Sequence, residues 1–291
     1  MRVNDFNLKQ TLECGQCFNF EKIEGSGGDA AEYIVCAMGR ALHVRQTFFG
    51  EAGNGGESEL EFLNASEDDA RNIWIPYFDL ERDYADIKRK IAAADPRLEP
   101  VVGKYYGIRI LNQDFCETLI SFIISQNKNI PQIKKCVKAL CASAGPYLGM
   151  AGGKERYGFP SLKALSGMSE QDFRDLKCGF RAPYIADAVA KMNEGLNADA
   201  LSAMGYESAK KELVKIRGVG DKVANCVLLF SLGYREAFPV DVWIKRVMEE
   251  LYFAGEDTPK AVIEARGKGL FGIYGGYAQQ YLFMYIRGKN R

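Results

Sequence analysis

The chain has 291 residues, 47% of them hydrophobic and 12% aromatic, enough apolar material for one large domain or two modest ones with real cores. Its 38 basic and 38 acidic residues cancel, which excludes a polycation that coats nucleic acid by bulk charge but leaves room for a local basic face. No apolar run is long enough to cross a membrane, and Met1 to Gln10 is polar and mixed in charge, unlike a signal or transit peptide, so intracellular residence is the expectation.

Taken in chain order, the first seventy-odd residues read as β. Segments 17–21, 32–37 and 41–47 are short and rich in β-branched or aromatic side chains, with turn chemistry at 25–28 and 39–40. Residues 50–58 read as a flexible, glycine-rich loop. An antiparallel sheet is expected. From about Tyr84 the pattern turns helical to the end, with helices over 114–126, 129–144, 181–193, 206–215, 221–232, 241–252 and 275–287. Asp114 is an N-cap for the first of these, whose apolar face runs through Phe115, Leu119, Phe122 and Ile123. Pro146, Pro160 and several glycines mark loops. The fold class is therefore α+β, with an N-terminal antiparallel β domain over 1–80 and a helical region over 81–291.

The eight cysteines (Cys14, Cys17, Cys36, Cys116, Cys136, Cys141, Cys178 and Cys226) are scattered through predicted core segments, as reduced thiols are. Cys14 and Cys17 form the one close pair, and His43 is the sole histidine, so a zinc site would need distant ligands. A redox role for the pair stays open but lacks a strand-to-helix setting.

The densest signal is Lys215-Ile216-Arg217-Gly218-Val219-Gly220-Asp221-Lys222-Val223-Ala224-Asn225-Cys226, followed by Pro239-Val240-Asp241-Val242-Trp243. The first piece reads as helix, tight glycine hairpin, helix within 206–232. Gly218 and Gly220 permit backbone shapes that a side chain would obstruct, and amides there and at the next helix start can converge on a phosphate. Lys222 in the first turn is either a phosphate-binding lysine or an amine nucleophile. Asp241, nineteen residues on, is either a plain N-cap or a carboxylate beside a reaction centre, and the two roles are compatible. Basic residues near these segments (Lys128, Lys134, Lys135, Lys138, Lys210, Lys211, Lys215, Arg217, Lys245 and Arg246) form a candidate DNA-facing set or, singly, ordinary solvated helix faces.

The hairpin with its downstream Pro239-Val240-Asp241-Val242 resembles the helix-hairpin-helix DNA glycosylase superfamily. Three further places resemble its 8-oxoguanine DNA glycosylase branch: Cys14-Gly15-Gln16-Cys17-Phe18, Ser125-Gln126-Asn127-Lys128-Asn129-Ile130, and Gly276-Tyr277-Ala278-Gln279-Gln280-Tyr281-Leu282-Phe283. The four occur in order over nearly the whole chain. Related branches carry a four-cysteine iron–sulfur cluster near the C-terminus. No cysteine follows Cys226, so no such cluster is expected.

The resemblance implies a bifunctional enzyme that flips 8-oxoguanine out of double-stranded DNA, excises it through a Schiff base on Lys222 and nicks the abasic strand. Asp241 would stabilise charge on the sugar. Gly15 would offer its carbonyl to the N7 hydrogen of the lesion, Gln279 would read the Watson–Crick edge, and Cys226 and Phe283 would sandwich the ring. Asn127 would fill the vacated gap, Phe180 would wedge the stack and Arg181 would contact the opposite cytosine. Trp243 would also touch DNA, and Gly218, Gly220 and Val223 amides would hold a phosphate. Carbonyls of Val214, Ile216 and Val219 would donate to a structural cation, and no cofactor would be required. The expected partner is damaged duplex DNA, bound by a monomer, with no membrane association. Residence is expected to be cytoplasmic in a prokaryote or nuclear in a eukaryote. The alternatives are a glycosylase for another oxidised or alkylated purine, a non-enzymatic helix-hairpin-helix DNA-binding module, and a thiol-redox protein built on Cys14 and Cys17.

The chain departs from the family pattern at Gln132, where an arginine that reads cytosine is usual. A glutamine brings neither charge nor a guanidinium fork. Excision of the lesion is therefore expected at comparable rates opposite cytosine and opposite adenine in single-turnover assays, and a strict cytosine preference would refute this.

Overall fold

The computed structural model describes residues 1–25, 29–49 and 57–289. A five-stranded antiparallel sheet of β1 (Arg2–Val3), β2 (Phe20–Lys22), β3 (Ala30–Ala37), β4 (Arg40–Phe48) and β5 (Ser58–Phe62) has the spatial order β1-β5-β4-β3-β2. Leu42, Val44 and Gln46 of β4 face inward, and the register sets Val44 opposite Tyr33 and Leu42 opposite Val35. One apolar face results, and it packs on Phe6, Leu8, Leu12, Trp74 and Phe78. On the other face Glu32 holds His43 at 2.9 Å and Arg45 at 2.6 Å, which accounts for the lone histidine. The inward Gln46 is fully engaged: Oε1 accepts from Leu8 N at 2.6 Å, while Nε2 donates to Phe6 O at 2.9 Å and Ser58 Oγ at 2.8 Å.

The sheet-then-helices order is as expected, with local differences that also include the strands β1 and β5 and helical turns at 67–77, none of them expected. Helix α1 (Leu8–Glu13) was not expected, because six residues capped by Asn7 are too few to display a 3.6-residue period. Residues 17–19 are not strand. Cys17 and Phe18 turn into two separate apolar cores, and pairing starts only at Phe20. A β-hairpin of β6 (Tyr147–Ala151) and β7 (Lys154–Tyr157) occupies what reads as loop, since Gly149, Gly152 and Gly153 interrupt any alternation. Its Ala151 packs on Ile34 and Cys36, and Glu21 is clamped by Lys154 and Arg156, which hold its carboxyl down at about 2. The expected turn at 25–28 and loop at 50–58 lie outside the described residues except for Gly25, Glu57 and Ser58.

The helical part contains α2 (Tyr84–Ala94), α3 (Glu99–Lys104), α4 (Phe115–Ser125), α5 (Ile130–Ala144), α6 (Ala182–Asn193), α7 (Tyr206–Val214), α8 (Asp221–Phe230), α9 (Val242–Tyr252), α10 (Lys260–Phe271) and α11 (Gly275–Lys289), with shorter turns between some of them. Helix α4 is central and nearly all buried. Its Phe122 stacks on Phe230 of α8 with ring centroids 5.5 Å apart. Helix α11 meets α8 closely at Gly276, where a Cβ would lie 2.2 Å from Leu229 Cδ1, so no larger residue fits. That approach sets the end of the chain beside the hairpin helices.

Glu117, on the first turn of α4, is buried, and desolvation pushes its carboxyl from an ordinary 4.5 up to about 8. The folded state thus holds a proton that the unfolded chain releases above 4.5, so stability falls as pH rises from there to about 8 and then levels off. Glu117→Gln is expected to flatten that interval and to gain on the wild type at the alkaline end in urea titrations. Identical slopes for the two proteins would refute it.

Candidate active site

Helix α7 runs into α8 through the turn at 215–220. Gly218 has φ +77°, and a Cβ there would lie 2.3 Å from the Tyr184 ring of α6, so backbone shape and close approach both demand glycine. Gly220 is the N-cap of α8 and supplies no side-chain cap. By contrast α4, α5 and α9 are capped by Asp114, Asn129 and Asp241. The start of α8 is therefore left for an outside acceptor, with Val223 buried just inside it.

Lys222 extends from that first turn to Ser125 Oγ, 3.3 Å away, and stands 4.8 Å from the Phe122 ring centroid. Ser125 Oγ donates to Phe122 O at 2.7 Å, so it meets the lysine as an acceptor. Asp241 caps α9 through Oδ1 alone, which accepts from Trp243 N at 2.9 Å and Ile244 N at 2.8 Å. The cap pins the carboxylate, and among the described residues Oδ2 has no hydrogen-bond partner. Lys222 and Asp241 line one cavity, and among the described residues they do not pair with each other.

That cavity, about 50 Å³, is also walled by Gly15, Cys226, Gln279, Gln280 and Phe283. It suits a water or two rather than a purine. Burial pushes the Cys226 thiol up to about 11, against a downward pull from Lys222, so this wall is uncharged. Gly15 has φ +88°, and a Cβ there would meet Ile130 Cδ1 at 3.2 Å and Phe283 Cε1 at 3.5 Å. Phe283 thus lies against Gly15 at one side of the cavity, with Cys226 also in its wall. Gln16 fixes this loop from below. Its Nε2 donates to Thr11 O at 2.9 Å and Arg109 O at 2.7 Å, and its Oε1 accepts from Leu111 N at 2.9 Å. The neighbouring thiols are structural: Cys14 Sγ donates to Thr11 O at 3.1 Å, Cys17 Sγ to Leu12 O at 3.7 Å, and burial pushes Cys14 up to about 12. That removes the support for a redox pair.

Beyond the cavity a groove of about 760 Å³ passes Asn127, Lys128, Gln132, Gly220 and Trp243. Asn127 has φ +51° at the tight α4–α5 turn, a shape asparagine tolerates. Gln132 is exposed, and its Oε1 accepts from Asn129 N at 3.1 Å in a capping box, which leaves its amino group and one Oε1 lone pair available. Phe180 is 50% exposed and Trp243 lies half-buried under Arg246. Arg181 departs from expectation. It is 4% exposed and donates from Nε to Gln126 O at 2.7 Å, from Nη2 to the same oxygen, and from Nη1 to Cys178 O at 3.2 Å. Its guanidinium braces the turn that carries Asn127 instead of reaching towards an opposite base. The basic set is also thinner than the sequence suggests. Lys138, Lys210, Lys215 and Lys245 are ion-paired to carboxylates, and Lys134 covers the Phe20 ring. Lys135, Lys211, Arg217 and Arg246 have no ion pair among the described residues. At the hairpin, Ile216 O accepts from Val219 N at 3.0 Å and keeps a second lone pair.

Residues 1–119 match the family described as 8-oxoguanine DNA glycosylase, N-terminal domain, and residues 120–270 match that described as HhH-GPD superfamily base excision DNA repair protein. The N-glycosylase/DNA lyase OGG1 of Arabidopsis thaliana is 30% identical, over 96% of this chain and 77% of its own length. The chain belongs to the 8-oxoguanine glycosylase branch of the HhH-GPD superfamily. Another relative, the probable N-glycosylase/DNA lyase of Methanothermobacter thermautotrophicus, is 29% identical over 98% of this chain and 95% of its own. Among solved structures, the Clostridium acetobutylicum 8-oxoguanine glycosylase/lyase in complex with dsDNA containing cytosine opposite 8-oxoG superposes with a TM-score of 0.89 at 39% identity, covering 99% of this chain and 94% of that one. A 3-methyladenine DNA glycosylase from Archaeoglobus fulgidus shares the fold, with a TM-score of 0.73 at 21% identity.

Within this 8-oxoguanine glycosylase framework, site residues not singled out from sequence are Phe122 and Ser125 beneath Lys222, Gln280 in the cavity wall, and Lys260 and Arg287 in the groove. Gln280 carries the same signal as Gln279, a polar residue in an apolar helix. Lys260 carries none, because an exposed lysine at a helix start is commonplace.

The capping and reaction-centre roles of Asp241 separate in one substitution. Asparagine caps as well as aspartate, so Asp241→Asn is expected to shift stability by less than about 0.5 kcal/mol. Base excision should fall roughly a hundred-fold or more with loss of the carboxylate charge. A rate drop that merely tracks lost stability would refute a reaction-centre role.

Proposed function

We propose that this protein excises 8-oxoguanine from duplex DNA and then cleaves the abasic strand, with Lys222 as nucleophile and Asp241 as its electrostatic partner. The observation that carries this reading is the convergence of Lys222, Asp241, Cys226, Gln279 and Phe283 on one small cavity that opens beside a basic, groove-lined hairpin. Duplex DNA docks with a phosphate at Gly218, Gly220 and Val223, and Asn127 and Phe180 occupy the disrupted stack. Insertion of the base displaces Phe283 from Gly15, which frees the Gly15 carbonyl for the N7 hydrogen that only the oxidised base carries. Unoxidised guanine would place its N7 lone pair against that carbonyl, two acceptors face to face.

The neutral Lys222 amine attacks C1′ as the bond from C1′ to the base breaks, and the base leaves with the bonding electrons and takes up a proton. Asp241 Oδ2 stabilises the positive charge that develops on the sugar. Loss of a proton from the lysine nitrogen as the sugar ring opens yields the Schiff base, which acidifies the 2′ proton. Its removal expels the 3′ phosphate by β-elimination. The reaction as written calls for no cofactor. The carbonyls of Val214, Ile216 and Val219, an oxygen-only donor set, would hold a hard or monovalent cation at the hairpin, which would supply positive charge near the phosphate, and no step runs through it. Residence with chromosomal DNA, in the cytoplasm of a prokaryote or the nucleus of a eukaryote, follows from the same reading. Among the described residues no helix is long and apolar enough to cross a membrane.

Borohydride trapping on a duplex with one 8-oxoguanine opposite cytosine tests this directly. Wild type is expected to give a covalent protein–DNA band, and Lys222→Gln to lose it entirely while still shifting the duplex in a gel. A persistent band in the variant would move the nucleophile elsewhere. No band from wild type on this duplex, with a band on an abasic-site duplex, would point to a different lesion.

A further inference from the structure

Helix α11 places two adjacent glutamines in the cavity wall. Gln279 and Gln280 are each 4% exposed, and both line the space beside Cys226, Gly15 and Phe283. A buried amide needs hydrogen-bond partners for its carbonyl and its amino group. Gln280 Nε2 donates to Gln279 Oε1 at 2.8 Å. Gln280 Oε1, in contrast, is buried with no partner among the described residues. An unpaired buried carbonyl is costly, and methionine or leucine would fill this position without that cost. The oxygen is a buried acceptor in want of a donor, on a residue that lines the cavity.

The shared hydrogen bond couples the two amide orientations. With Gln280 donating, Gln279 keeps its amino group and one Oε1 lone pair for a ligand, and Gln280 keeps its carbonyl oxygen. Gln280 therefore stands on the carbonyl side of Gln279. The Watson–Crick edge of a guanine-type base runs from the O6 acceptor through the N1 hydrogen to the 2-amino group. When Gln279 Nε2 meets O6 and Gln279 Oε1 meets the N1 hydrogen, the 2-amino group lies on the Gln280 side.

We propose that Gln280 Oε1 accepts a hydrogen bond from the 2-amino group of the extruded base, which makes Gln280 a specificity-determining residue that selects 2-aminopurines. This rests on the 8-oxoguanine reading above. It gives the pocket three contiguous contacts along one base edge and assigns the third to a side chain to which the family resemblance gave no role. A site built to bond a substrate N–H discriminates strongly against the analogue that lacks it, because its own polar group is then left unpaired.

The test is single-turnover excision of 8-oxoguanine and of 8-oxohypoxanthine, each opposite cytosine, by wild type, Gln280→Met and Gln280→Leu. The two lesions differ only in the 2-amino group. Wild type is expected to favour 8-oxoguanine by about ten-fold, the scale of one buried hydrogen bond. Both variants should lose about that factor on 8-oxoguanine and little on 8-oxohypoxanthine, bringing the ratio close to one. Equal slowing on both lesions, or an unchanged ratio, overturns the assignment and leaves Gln280 a packing residue. Borohydride trapping on an abasic-site duplex, which presents no base to read, reports whether each variant keeps its fold and its Lys222. The near-isosteric methionine variant decides the matter if leucine does not fold. A wild type that excises neither lesion but is trapped on abasic DNA overturns the 8-oxoguanine reading itself, and the role of Gln280 with it.

Discussion

The pocket depends on how the buried amide of Gln16 is satisfied. Three of its hydrogen bonds run to Thr11, Arg109 and Leu111, and its own carbonyl accepts from Gln113 Nε2 at 2.8 Å. A fully buried amide cannot leave these partners without a large desolvation penalty, so the loop from Cys14 to Phe18 has one position relative to the segment entering α4. That position turns Gly15 towards Phe283. The opposite end of the chain arrives there because Gly276 lets α11 settle against Leu229 of α8. The base site is therefore a junction of both chain ends with the hairpin helices, held by one polar clamp and one glycine contact.

The two helix starts at this junction use the same backbone physics in opposite ways. Asp241 consumes the orphan amides of α9 and is immobilised by doing so. Gly220 leaves those of α8 without a side-chain cap. One terminus thus presents a fixed anion and the other an anion-binding surface, with Lys222 between them. Ser125 and the Phe122 face steady the lysine from α4. A chain of zero net charge can still attract DNA, because Lys138, Lys210, Lys215 and Lys245 are neutralised in ion pairs while, among the described residues, Arg217, Arg246 and Lys260 have none.

A cavity of about 50 Å³ beside a groove of about 760 Å³ is what the proposed function needs if duplex binding precedes base insertion. The groove is preformed and accepts DNA through its backbone. The proposed base site is smaller than a purine, and on that proposal Phe283 moves off Gly15 as the base enters. Part of the energy of duplex binding is thereby used to extrude and insert the base, a cost that is lower for a nucleotide whose new hydrogen bonds are all met.

Much of this was legible in the linear chain. The hairpin glycines, Lys222 and Asp241 sit in local patterns readable from residue type and spacing, Gly15, Gln279 and Phe283 stood out through the family resemblance, and the long helices announce themselves through caps and periodicity. Short elements did not. Helix α1 has too few residues for a period, and the β6–β7 hairpin is broken up by glycines that are required by its turns. Arg181 shows the limit most clearly: an arginine beside an exposed aromatic reads as a DNA contact, yet its guanidinium is buried on the carbonyl of Gln126, fifty-five residues away. The amino-acid order by itself determined the class of fold, the hairpin and the candidates for the reacting groups, because these depend on backbone permissions and side-chain chemistry at near-neighbour spacing. Only the tertiary structure decided which polar groups face the cavity and which are consumed as braces, because hydrogen-bond partnership between distant segments is set by packing and leaves no trace in local sequence.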